Sequence, residues 1–172
     1  MARSREAGLS VIELLIVVAV ILVIVAIAIP RLLHARMSAN AAAAAASMRV
    51  IHDAEATYSL NYPNVGYSSS LLNLGRNGST CESVTSTNAC LIDDMLATGI
   101  KSGYLFDLTG DGATPDAEYS LTAAPVSNGY TGQCSFSSDQ SGAVHAQPVN
   151  ASHTSILTMG GGSSGCSLGA TM

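Results

Sequence analysis

Between Leu14 and Ile29 the chain carries no charged or polar side chain, and this run limits what the protein can be more than any other stretch of it. Counted from Leu9 to Ile29 it holds 21 residues. As a helix it would extend about 31 Å, the thickness of a bilayer hydrocarbon core of about 30 Å. The length suits a membrane span better than the core helix of a soluble domain. A secretory signal peptide would need a small-residue cleavage site after the apolar block, where Ile29-Pro30-Arg31 stands instead. The one plausible processing point lies before the block, at Gly8, at the end of the polar segment MARSREAG with its Arg3 and Arg5. Cleavage there would leave the helix in the mature chain. Arg31 and Arg36 on the far side balance Arg3 and Arg5, so basic residues alone leave the orientation open.

One acid, Glu13, interrupts the apolar segment. An ionised side chain near the centre of a bilayer costs roughly 2.5–3.5 kcal/mol on insertion scales, so it requires a partner. Cleavage after Gly8 would supply one. Leu9 would then carry a free amine, and Glu13 lies four residues on, one helical turn away. The competing reading puts Glu13 at the interface, reaching water.

From Arg31 to Leu60 there is neither Gly nor Pro, and Ala41–Ala46 is a run of the best helix former. The simple expectation is one long helix, broken or bent at Pro30, of about 50 residues and so about 75 Å. Met37, Ala41, Ala44, Met48, Ile51 and Tyr58 form an apolar stripe at helical spacing, interrupted by Glu55. Beyond Pro63 the composition turns to Gly, Ser, Asn and Thr, with short runs that read as strands over residues 103–108, 118–123, 132–137 and 142–146. Gly110-Asp111-Gly112 and Asp139-Gln140-Ser141-Gly142 supply turns. The expected fold class is α+β: a long N-terminal helix, one half spanning a membrane, packed against a small antiparallel β-sheet.

Charge is divided in the same way as hydropathy. Residues 1–49 carry +3 and residues 50–172 carry −8, giving the net −5. An acidic head lacks the Lys and Arg that displace counterions from phosphates, which argues against nucleic acid as a partner. The four cysteines, Cys81, Cys90, Cys134 and Cys166, all follow the apolar block and contain no C-x-x-C pair, which favours disulfides over zinc. Three pairings are possible. Sequence-local closure, Cys81 with Cys90 and Cys134 with Cys166, needs the least prior organisation and on a loop-entropy model contributes about 2.7 and about 3.7 kcal/mol.

Catalytic motifs are poorly represented. Gly161-Gly162-Ser163-Ser164-Gly165 matches a nucleophile elbow, but no His or acid follows it as hydrolase chain order requires. His34, His52, His145 and His153 show no metal-ligand spacing. Asp107, Asp111 and Glu118, with Gly112 at the sixth place, approximate the spacing of a calcium loop, although Thr109 is a poor third ligand and the flanks read as strands. Calcium at this loop is therefore the one cofactor the sequence suggests; no other is expected, and no enzymatic activity.

The segment from Gly8-Leu9-Ser10-Val11-Ile12-Glu13 through Val18-Ala19, followed by Ala28-Ile29-Pro30, resembles the N-terminus of type IV prepilins and the pseudopilins of type II secretion. The resemblance covers about 30 residues, with the glycine, the acid and the proline at the family's spacing. A second stretch, Tyr119–Pro125, then Thr131-Gly132 and Phe136–Gly142, looks like the head of some bacterial pilin-like proteins. What this implies is a leader over 1–8, a transmembrane assembly helix over 9–30, an amphipathic helix half over 31–60 and a globular head over 61–172. It implies cleavage after Gly8 by a prepilin peptidase, N-methylation of Leu9, and assembly through Glu13 and Pro30 on an inner-membrane platform into a helical homo-oligomeric filament at the cell surface, for adhesion or motility. Two departures stand out: Leu9 where many members have Phe, and Leu22 where many pilins have Gly. A secretion pseudopilin and a minor tip pilin with a binding role share the same N-terminus. The absence of aromatics from Leu9 to Thr57 disfavours an electron-conducting filament.

Overall fold

The computed structural model describes residues 10–78, 81–149 and 166. Helix α1 runs from Val11 to Asn61 and continues through Pro30, so the break expected there is not found. It ends where Pro63 forbids continuation, with the Tyr62 amide donating to the Tyr58 carbonyl at 2.9 Å. The chain divides into two compact units, one up to Arg36 and one from Met37 onward.

In the first unit every described residue from Ser10 to Arg36 is exposed. In the second, α1 buries Met37, Ala44, Ala45, Met48, Ile51, Ala54 and Tyr58, and Ala41 packs at the edge of the same core. This is the stripe expected from periodicity. Two four-residue helices follow, α2 (Leu71–Leu74) and α3 (Asp94–Ala97). Each begins at a side-chain cap: Ser70 accepts from the Leu72 amide and Asp93 from the Leu96 amide. They add Leu71, Leu74, Leu96 and Ala97 to the core.

Among the described residues five strands form one antiparallel meander in chain order: β1 (Ile100–Lys101), β2 (Tyr104–Gly110), β3 (Tyr119–Pro125), β4 (Cys134–Asp139) and β5 (His145–Pro148). The four expected strands and both turns are present, in one sheet because β3 also pairs with β4. Alternation sets the inner face: Tyr104, Phe106 and Leu108 of β2 are buried while Leu105, Asp107 and Thr109 point outward. Register places the small Ala123 between Phe106 and Phe136, so two large rings flank a methyl group in one row. Gly132 is required beside Tyr104, because a Cβ there would lie 2.2 Å from the phenolic oxygen, which donates instead to the Cys134 carbonyl at 2.9 Å.

Candidate functional site

The apolar half of α1 presents a continuous hydrocarbon surface to its surroundings. Ile12, Leu22 and Val23 are 65%, 63% and 65% exposed. A soluble monomer rarely exposes a contiguous patch beyond a few hundred Å², so this surface calls for lipid or other helices. By length and composition the helix is capable of crossing a membrane. Glu13 lies in its first turn. The two ion pairs among the described residues, Arg76 with Asp94 and Lys101 with Asp93, are both in the head, so Glu13 has no counter-charge there. Gly8 and Leu9 lie outside the described residues, as do His153 and the segment 161–165.

The acidic loop after β2 is organised by hydrogen bonds of its own. Asp111 accepts from the Ala113 amide at 2.8 Å and from the Ala117 amide at 3.4 Å, and its own amide donates to the Glu118 carbonyl at 3.2 Å. The Ala113 amide foremost, then a hydrogen bond with the Asp116 carboxyl and the Ala117 and Glu118 amides, hold the Asp111 carboxyl below its ordinary range. Asp107 sits on the outer face of β2, paired across to Thr122. No group of three or more His, Cys, Asp or Glu among the described residues is arranged to hold a metal ion, so Asp107, Asp111 and Glu118 are not brought together as one ligand set.

A different acid of this loop, Asp116, is drawn inward. Its backbone clasps the connector after α1: the Asp116 amide donates to the Val65 carbonyl at 2.8 Å, and the Tyr67 amide donates to the Asp116 carbonyl at 3.0 Å. Gly66, at φ +83°, makes this approach possible, since a Cβ there would meet the Asp116 carbonyl oxygen at 2.1 Å. The carboxyl is buried against Gly110 and Ser69, and its Oδ1 has no hydrogen-bond partner. Burial raises its pKa, reinforced by the neighbouring Asp111.

The clasp closes onto α1 at Glu55, which is fully buried. Glu55 Oε2 accepts from the Ser68 amide at 2.8 Å, while Oε1 has no partner. Burial pushes this carboxyl up to about 7; the Ser68 amide opposes that and the charge of Asp116 adds to it. Around it stand tyrosines: Tyr58 donates to the Ser86 carbonyl at 2.6 Å, Tyr67 contacts Tyr119 edge-on at 5.0 Å, and the Tyr119 hydroxyl pairs with His52 Nδ1 at 2.6 Å. Burial also raises the pKa of Tyr119, which holds it as the neutral phenol. In the sequence Glu55 looks like a gap in the stripe. The signal that could have found it is its position, four residues after Ile51 and three before Tyr58, which places it on the core face.

Both disulfides join sequence neighbours, Cys81 with Cys90 and Cys134 with Cys166. The first closes the surface excursion before α3, and the second fastens residue 166 to the start of β4. Comparison of the chain with family models, with characterised proteins and with solved structures finds no match.

Proposed function

We propose that the chain is the structural subunit of a type IV pilus-like filament, cut after Gly8 by a membrane peptidase, methylated at Leu9 and polymerised through the N-terminal half of α1 from an inner-membrane platform to the cell surface. The observation that carries this reading is the pairing of a bare apolar helix, interrupted by Glu13 alone, with a disulfide-closed α+β head. Such a helix needs an apolar partner along its exposed length, and identical helices packed side by side supply one. Glu13 then has a role that a simple membrane anchor does not give it. Its charge is costly in hydrocarbon until it meets the amine of Leu9 on a neighbouring subunit. The work of the protein on this reading is assembly and adhesion or motility, not catalysis.

The test is a Glu13→Leu variant expressed in the native cell, with surface appendages sheared off, imaged and identified by mass spectrometry. Wild type is expected to yield filaments whose main subunit begins at Leu9. The variant is expected to be processed normally and to yield filaments at background level. Normal filaments from the variant would remove the charge-pairing role, and absence of the chain from every wild-type filament would remove the filament itself. Recovery of the processed chain only with a protein-secretion apparatus would favour the pseudopilin.

A further inference from the structure

We propose that Glu55 is a proton-controlled latch: with its carboxyl neutral, the connector 62–70 and the loop 111–118 close together over helix α1, and with its carboxyl ionised they release. The proposal concerns the head alone and stands whether or not the chain polymerises.

The geometry isolates Glu55 as the link between two parts of the head. The connector and the β2–β3 loop hold each other through the Val65, Tyr67 and Asp116 backbone hydrogen bonds. The Ser68 amide, 1% exposed at the residue level, makes the side-chain bond that fastens this pair of loops to the middle of α1. Its acceptor is an acid with one oxygen unpartnered and no water access. An unpartnered hydroxyl costs about 1–3 kcal/mol when buried, whereas an isolated carboxylate costs far more, so the closed state selects the neutral acid.

Among the described residues, burial, the Ser68 amide and the charge of Asp116 set the state of Glu55, and no Lys or Arg acts on it. From α1 the titratable groups around this cluster are Tyr58, Asp53 and His52, the last engaged by Tyr119. Tyr62 and Tyr67 stand on the connector, Asp116 on the β2–β3 loop backed by Asp111, Tyr119 on β3, and Asp139 at the end of β4 with His145 of β5 beside it. Lys101 is paired with Asp93 at 2.6 Å, and Arg76 with Asp94. An ionised Glu55 would thus face the charge of Asp116, and both carboxyls have a buried oxygen without a donor.

The sign follows from linkage. Glu55 has a folded pKa of about 7 against 4.5 for the free side chain. The closed state therefore has its full advantage below pH 4.5 and loses it as the pH rises through about 7. The total change in the closing equilibrium is about 300-fold.

The experiment is amide hydrogen exchange on the full chain in detergent micelles, from pH 5 to pH 9, corrected for intrinsic exchange. In wild type the Tyr67, Ser68 and Asp116 amides are expected to lose about two orders of magnitude of protection across that range, while the β3 amides keep theirs. Glu55→Gln keeps the acceptor and cannot ionise, so its profile is expected to be flat; Asp116→Asn is expected to move the wild-type midpoint downward. Parallel profiles for wild type and Glu55→Gln would overturn the proposal. Should Glu55→Gln fail to fold, infrared titration of the wild-type carboxyl band decides: a buried protonated carboxyl persisting to about pH 7 supports the latch, and ionisation complete by pH 5.5 overturns it.

Discussion

Each half of α1 sets an acid among apolar side chains, Glu13 in the first and Glu55 in the second, and the two are treated in opposite ways. In the half ending at Arg36 the hydrophobic side chains are bare and Glu13 is exposed among them. In the half beginning at Met37 the apolar stripe is closed under the sheet, and Glu55 is buried within it, bonded to the Ser68 amide. One segment leaves its hydrocarbon bare and gives Glu13 no counter-charge among the described residues. The other completes its hydrocarbon internally and handles its charge by holding a proton. The same helix thus leaves one acid exposed and closes over the other, and the sequence marks the difference as an unbroken aliphatic run in the first half and a stripe spaced by three and four in the second.

The sharpest way to break this contrast is to make the same truncation in each half. Ile51→Ala removes a side chain that is 0% exposed and should destabilise the head by about 2–5 kcal/mol. Ile21→Ala, at a position 51% exposed, should change head unfolding by less than about 0.5 kcal/mol. Denaturant melts of both variants in one detergent, followed by near-ultraviolet signals of the head tyrosines, give the comparison directly. Equal losses would mean that the two halves form one cooperative unit.

A smaller effect tests how far the head relies on covalent closure. Replacing Cys81 and Cys90 together by Ser should cost up to about 2.7 kcal/mol and, on the proposed filament reading, leave assembly intact, because the bond closes a loop remote in sequence from α1. A loss of filament assembly in a variant whose head still melts cooperatively would show that the loop takes part in packing between subunits.

The fold was legible where a pattern had room to repeat. Apolar runs of two periods, one continuous and one spaced by three and four, marked the two halves of α1, and Gly-Asp-Gly and Asp-Gln-Ser-Gly marked the turns of the sheet. What escaped was too short to have a period: β1 is two residues, and α2 and α3 are single turns set by their caps Ser70 and Asp93. Pro30 predicts a break or a bend, and the break is not found, because one missing amide does not end a helix that is otherwise continuous on both sides. Among the acids, spacing pointed to Asp107, Asp111 and Glu118, whereas the buried ones are Glu55 and Asp116. Their burial depends on two loops meeting, Val65–Tyr67 with Asp116, and no local pattern encodes a meeting between segments about fifty residues apart.

The smallest expected effect concerns those surface acids. A calcium ion at the β2–β3 loop would have to take Asp111 from the Ala113 and Ala117 amides and turn Asp107 from the outer face of β2 toward it. It would exchange satisfied hydrogen bonds for coordination and gain little. Adding calcium to the full chain in detergent should therefore leave the melting temperature of the head unchanged and give no binding heat on titration. A true site would behave otherwise, since calcium at one hundred times its dissociation constant adds about 2.7 kcal/mol of stability. A rise of several degrees that Asp111→Asn abolishes would show that the loop reorganises around the ion. The contrast between the halves would then need a third term, since the head would also be completing a charge from outside.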